Sequence, residues 1–562
     1  MRDPRRGGVL VALAALVAFT GCASIPDSGA VHRGEPQARA DSPDPELIAE
    51  GPEGGETQDQ ILRGFLDAAT DARDNYAVAR EFLTPAFGEE WRADDGATID
   101  QFASREFETT GEAAMRLEVV PTAELSANGQ YQITGSPAPI ALDYAFEQVD
   151  EEWRISSAPP GILIDTSNFT RAFNSHALTF IDPTEQYAVP DIRWFAGREA
   201  VQTKIVRALL AGPAEWLDPG VATAFPEDAA LAADAVPITS GVASVELTGV
   251  STEDQRTVQL MRFQLDQSLD GVRGVGDVEL SLNGVVQRGE GTRPLPVVDP
   301  VVPARPVVYD GESFGHLSAG GASITPIEGI SEQLPALAPT GAAVGADGQS
   351  AAVRAADGVS LVTTDEEPIS LDPRADLIVP AIDGFGVVWT VPRGSPDQLT
   401  ASRPDGSSVQ VPVPWTGTEI AALEVSRDGT RVLALLGDGA TTRFVAASIV
   451  RDADGMPVEL GKTVLDLEHI DGSPRDVVWL DDRSVASLTA SGSGTRVIVQ
   501  VLGGVPEAVR AGPDGGVELS GGNTVGDLRV RTETGDFDVR SGQGWQAQAT
   551  GIVLVATQLP LR

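Results

Sequence analysis

The chain has 562 residues, 42% of them hydrophobic, with 82 acidic against 40 basic side chains and a formal net charge of −42. Such a surface repels phosphates, which excludes nucleic acid as a partner, and an anionic bilayer would repel it too. Cys22 is its single cysteine, so no disulfide forms within the chain and the fold must stand on its apolar cores.

Arg2, Arg5 and Arg6 precede an apolar run, Val9 to Cys22, that ends in small residues before the cysteine. This order reads as a secretory signal over residues 1–21. The run is too short to cross roughly 30 Å of hydrocarbon, which takes about 20 residues. Phe19-Thr20-Gly21-Cys22 resembles a bacterial lipobox, although Phe19 stands where Leu is usual. The resemblance implies cleavage before Cys22, which becomes an S-diacylglycerol cysteine and N-acyl cysteine. Acylation also removes the liability of a lone thiol in an exported chain.

A mature chain of about 540 residues suggests three or four domains at roughly 100–200 residues each. Residues 22–56 carry the lipidated cysteine and a tether rich in Pro, Gly, Ser, Asp and Glu, which cannot bury enough apolar surface to fold alone. About 35 such residues have an r.m.s. reach of roughly 30–35 Å.

Residues 57–165 read as an α+β domain. Thr57 and Gln60 fit a capping box ahead of Ile61, Leu62, Phe65 and Leu66. Asp74 is expected to open a second helix carrying Tyr76, Val78, Phe82 and Leu83, stopped by Pro85. From Met115 the period changes to two, and MRLEVV, YQIT, IALDYAFEQV and EWRISS read as strands, with a tight turn at Asp150-Glu151-Glu152. Helices followed by a curved sheet look like the cone-shaped domain of ketosteroid isomerases and nuclear-transport-factor-like proteins. Asp143 and Glu147 lie on strand sequence and read as solvated carboxylates.

Residues 166–195, aromatic-rich and containing His176, read as a joint. Residues 196–290 form a second α+β unit: a helical stripe Val201, Ile205, Val206, Leu209, Leu210 stopped at Gly212-Pro213, a strand GVASVELTG, a helix over 251–269, and a strand DVELSLNG ending in an Asn283-Gly284 turn. LLAGPAEWL at 209–217, VASVEL and GVRGVGDVELSLNG at 271–284 resemble the GerMN domain of sporulation and germination proteins. GVRGVG follows a helix where a nucleotide loop would follow a strand, and reads as a turn.

Residues 291–305 form a Pro-rich hinge that few contacts are expected to cross. Residues 306–562 read as all-β. GADGQSAAV, AIDGFGVVW, VSRDGTRVLALL and WLDDRSVASL, at 345–353, 381–389, 425–436 and 479–488, each lead from a polar turn into an apolar strand. Their spacing suits propeller blades. A β-propeller-like domain is the expected architecture, with a β-sandwich as the alternative.

The four histidines, His32, His176, His316 and His469, are far apart in sequence, and no zinc-type motif, phosphate loop or nucleophile elbow occurs. Asp452-Ala453-Asp454-Gly455 is a fragment of a calcium loop lacking its distal Glu and reads as a turn. No catalytic, metal or cofactor-binding residues are assigned, and the chain is read as a non-enzyme.

Lipobox, acidic tether, cone-like domain, GerMN-like domain and propeller, in that order, resemble the actinobacterial lipoprotein LpqB family. The resemblance implies a lipid-anchored protein on the extracytoplasmic face of the cell membrane. It further implies a partner, the extracytoplasmic domain of an Mtr-type two-component sensor histidine kinase, and a role in cell-envelope homeostasis and division. The competing expectation is a cell-wall ligand-binding protein or enzyme using the cone or propeller pocket.

Overall fold

The computed structural model describes residues 49–561, save 136–137, 198–199, 252–253, 289–290, 292, 365, 440, 469–471, 493 and 508. The signal, Cys22 and most of the tether lie outside the described residues. Residues 49–562 form one compact unit.

The first domain opens on helix Gln58–Ala68, started by the Thr57/Gln60 capping box. Its apolar stripe, Ile61, Leu62, Phe65 and Leu66, is buried with Phe82, Trp91, Leu117 and Ile155. The second helix spans only Ala77–Glu81. Asp74, Asn75 and Tyr76 precede it with φ of 48°, 57° and 59°, so the expected start at Asp74 is a left-handed turn instead. Two four-stranded sheets follow. One orders Tyr131–Ile133, Pro121–Ser126, Gly96–Asp100 and Ile162–Asp165; the other Glu106–Gly111, Ala114–Val119, Ile140–Val149 and Glu152–Ser157. Alternation drives the pattern: Met115, Leu117 and Val119 point inward while Arg116 and Glu118 face solvent. Asp150 and Glu151, at φ 53° and 69°, make the expected tight turn.

Strands Phe173–Ile181 and Ala188–Ala196 form an antiparallel hairpin paired at nine positions. It packs on helices Val201–Leu210 and Gln255–Leu269 of the second domain. Strands Val242–Thr248 and Asp277–Leu282 pair in parallel across the helix Gln255–Leu269, a β-α-β unit. Asn283 and Gly284, at φ 48° and 82°, turn the chain into Val285–Val286.

Among the described residues, the C-terminal strands make six blades. Blades 2 to 6 each run outward from an inner strand: Gly341–Val344, Ala381–Ile382, Glu419–Val425, Ser473–Trp479 and Gly516–Ser520. Blade 1 is a composite. Its inner strand is the C-terminal Leu554–Thr557, paired antiparallel with Val307–Tyr309, and Phe314–Leu317 and Ile324–Pro326 lie outside. Each inner strand touches the next, and Leu554–Thr557 touches those of blades 6 and 2, so the ring closes. Radial repetition of this kind leaves only short, protected sheet edges. Blade strands read as continuous apolar runs because both faces are covered; Arg431 to Gly437 is buried without a break. The fold is therefore two α+β domains followed by a β-propeller.

The four Asp-containing repeats occupy one structural position, the turn between the inner and second strands of blades 2 to 5. In each, a carboxylate oxygen accepts nearby backbone N–H groups: Asp347 from Gln349 and Ser350, Asp383 from Phe385 and Val387, Asp428 from Thr430, Asp481 from Arg483 and Ser484.

The Pro-rich stretch departs from the expected hinge. Ala188 N–H donates to Val297 C=O at 2.9 Å. Val302 N–H donates to Asn523 Oδ1 at 2.8 Å, and Asn523 Nδ2 donates back to Val302 C=O at 2.9 Å. The second domain also shares one continuous apolar core with blades 4 and 5, in which Trp216, Leu217 and Phe225 join Leu433, Phe444 and Trp479. Valines and prolines lack the polarity of a solvated linker, and here the backbone of Val297 is paired with the hairpin and that of Val302 with the propeller.

Candidate functional site

A cavity of about 390 Å³ opens between the first and second domains. One wall is helix Val201–Leu210. Its apolar stripe faces the core, and the opposite face presents Lys204 and Arg207, with the small Ala211 following at the helix end and buried Ala208 at the edge of the cleft. The floor is aromatic: Phe173, Trp194 and Phe195 from the hairpin, with Tyr76 from the left-handed turn. The far wall is Asp94 and the turn Ser126 to Gly129. That turn needs a glycine: Gly129 has φ +83°, and a Cβ there would stand 2.8 Å from the Trp194 carbonyl oxygen.

The polar groups are lightly committed. Lys204 Nζ, half-buried, lies 3.8 Å from the exposed Asp94 Oδ1 and donates to Ala196 C=O at 3.4 Å. Arg207 Nη2 donates to the Asp234 carbonyl at 2.6 Å from an exposed position. Trp194 Nε1 donates to Gly503 C=O at 2.9 Å, which ties the indole to blade 5 and leaves its carbon surface to the cleft. Burial pushes the Tyr76 hydroxyl up, with Asp94 adding to the shift.

The propeller axis is largely filled from within. Thr557 Oγ1 of blade 1 donates across the axis to Glu424 Oε1 of blade 4 at 2.7 Å. Asp476 of blade 5 accepts from Leu519 N–H at 2.7 Å, and Glu518 of blade 6 pairs with Arg531 at 2.6 Å. Desolvation pushes Glu424 up to about 8 and Asp476 up to about 7. At the mouth beside Val302 and Arg427 the remaining space is about 30 Å³, room for about one water molecule. The propeller centre therefore offers no organic-ligand pocket at this mouth.

The residues weighed from sequence lie elsewhere. Asp143 pairs with Arg116 at 2.8 Å on the outer face of its strand, and Glu147, four residues further along, is exposed. His176 is half-buried beside Phe195, and burial lowers its pKa. Asp452 Oδ1 accepts from Asp454 and Met456 N–H, so the calcium-like fragment is a self-bonded turn. Val272 N–H donates to Leu269 C=O in the GVRGVG turn between helix and strand. Cys22, His32 and His469 lie outside the described residues. Sequence reasoning did not assemble the cleft. Its signal was a helix whose non-core face carries one of the chain's two lysines and an arginine, with an alanine at its end, soon after the aromatic pair Trp194-Phe195.

Three family models match, in the order of the domains described above. They are "Lipoprotein LpqB, N-terminal domain" over residues 51–170, "Sporulation and spore germination" over 177–287, and "Lipoprotein LpqB beta-propeller domain" over 315–555. The curated relative "Lipoprotein LpqB" of Nocardia farcinica is 36% identical over 38% of this chain and 36% of its own length. That of Cutibacterium acnes is 29% identical over 50% of this chain and 47% of its own. These matches span less than half of either relative, whereas the Streptomyces coelicolor protein of the same name is 26% identical over 98% of both chains. Among solved structures, streptogramin B lyase aligns over 38% of this chain and 68% of its own, at 14% identity and a TM-score of 0.28, too slight a likeness to argue from. No helix among the described residues is long and apolar enough to cross a membrane. With its domains matched in sequence order and an LpqB relative aligned from end to end, the chain belongs to the LpqB lipoprotein family.

Proposed function

We propose that this protein is a lipid-anchored accessory regulator of a two-component sensor histidine kinase of the Mtr type. It acts outside the membrane in cell-envelope homeostasis and division. The observation that carries the reading is the apolar core running from the second domain into blades 4 and 5. It locks the second domain to the propeller within the compact unit 49–562, suited to presenting composite faces to a protein partner. Family membership supports the extracytoplasmic setting. Cys22 is the anchor: two acyl chains hold a protein far better than one, which binds only reversibly. A tether to the same bilayer raises the effective concentration of the body at a membrane-bound partner.

The test is response-regulator phosphorylation in a strain lacking the protein. Deletion should change it, the wild-type chain should restore it, and exported residues 57–562 without Cys22 should restore it poorly. Unchanged phosphorylation in the deletion strain overturns the kinase reading. Full restoration by the unanchored chain overturns the role of the anchor.

A further inference from the structure

We propose that the cleft between the first and second domains binds a small amphipathic anion, its negative group at Lys204 and Arg207 and its apolar body on Trp194 and Phe195. The inference is independent of the kinase reading.

Size comes first. A cavity of about 390 Å³ holds about 20 non-hydrogen atoms at protein packing density, within the range of small-molecule sites. Charge comes next. In a chain of net charge −42, one helical face sets two cations three residues apart on the same wall. Among the described residues lining the cleft, the carboxylate facing them is Asp94, 3.8 Å from Lys204 Nζ and exposed, so an incoming anion can displace it. Shape completes the argument. Ala211 lies one turn beyond Arg207 and keeps the space above the aromatic floor open. The polar atom of Trp194 is spent on Gly503, so the ring offers only carbon. Cations at the rim and aromatic carbon below select a ligand with one anionic end.

Residues 49–562, a compact unit with cores of its own, are titrated with two dyes of the same aromatic body. One is the anionic 1-anilinonaphthalene-8-sulfonate and the other the neutral N-phenyl-1-naphthylamine. The sulfonate should bind saturably at one site. Lys204→Gln combined with Arg207→Gln should weaken it at least tenfold and leave the neutral dye within twofold. Ala211→Trp, at an exposed position, should fill the cleft and weaken both dyes without moving the thermal midpoint. Reductive ¹³C-methylation gives one resonance for each of the two lysines, and the sulfonate should shift that of Lys204 and leave that of Lys462. Displacement of the dye by 1-naphthoate identifies a soluble aromatic acid as the occupant, and displacement by lysophosphatidic acid a single-chain lipid anion. Lack of saturable binding, binding that survives Ala211→Trp, equal loss of both dyes in the double variant, or displacement by neither competitor overturns the proposal.

Discussion

Arg427, in the turn of blade 4, donates from Nη1 to the carbonyl oxygen of Pro300 at 3.2 Å. The same guanidinium reaches Leu480 C=O at 3.1 Å, Asn523 Oδ1 at 3.3 Å and Gly522 C=O. One side chain thus joins three blades to the Pro-rich segment entering the propeller. Arg fits this role because its planar fork serves several acceptors at once. Arg427→Ala leaves buried carbonyls unpaired, at a cost of about 2–4 kcal/mol. Limited proteolysis near residue 300 should be slow in the wild type and at least several-fold faster in the variant. Equal cleavage rates would show that the segment is held by something else.

The junction of the second domain with the propeller rests on a close backbone approach. A Cβ on Gly220 would stand 2.6 Å from Ser448 Cβ and 3.1 Å from the backbone N and O of Ile449. Backbone atoms hydrogen-bonded within a packed blade cannot retreat easily, so Gly220→Val should cost about 1–3 kcal/mol. Hydrogen exchange should rise in residues 214–222 and 441–451 and stay unchanged in the first domain. Wild-type protection at both segments would mean the junction yields freely.

Local chemistry was the legible part of this chain. The Thr57/Gln60 cap, the Asp150-Glu151 turn and the repeated aspartates of blades 2 to 5 each act within a few residues of their partners. Composite blade 1 was not legible, because Leu554–Thr557 pairs with strands more than two hundred residues earlier. Nor was the strapping of the Pro-rich stretch, where Arg427 meets Pro300 across 127 positions. Asp74 misled for another reason. It looks like a helix cap, yet the chain spends it in a left-handed turn that delivers Tyr76 to the cleft.

The propeller axis carries a pH dependence whose sign follows from burial. Glu424 is pushed up to about 8 from an ordinary 4.5. Between those values the folded state holds a proton that the unfolded chain releases, so stability falls as pH rises through that window. The loss is up to about 1.4 kcal/mol per pH unit. Asp476, pushed up to about 7 from 3.8, acts with the same sign over a lower window. Glu424→Gln keeps an acceptor for Thr557 and removes the titration. Its thermal midpoint relative to wild type should therefore climb steadily between pH 5 and 8. A constant difference across that range would show that Glu424 titrates normally.

Gln264 decides how the second domain holds the hairpin that floors the cleft. It is fully buried on helix Gln255–Leu269. Its Nε2 donates to Thr179 C=O at 2.8 Å, and its Oε1 accepts from Ala224 N–H at 2.7 Å. One turn further on, Ser268 Oγ accepts from Thr179 N–H at 2.9 Å. Two helix side chains therefore replace the neighbouring strand that Thr179 lacks, and both of its backbone groups are satisfied. Gln264→Leu preserves volume but strands one carbonyl and one N–H in an apolar core. The expected loss is about 2–4 kcal/mol, read in urea unfolding with an unchanged slope. Gln264→Glu also loses the donor to Thr179 and buries a charge, so it should be the worse of the two at pH 8. At pH 5, where a buried carboxyl takes up a proton and can donate again, it should recover toward wild type. Equal stability of Gln264→Leu and wild type would mean that the hairpin is held by its apolar face alone.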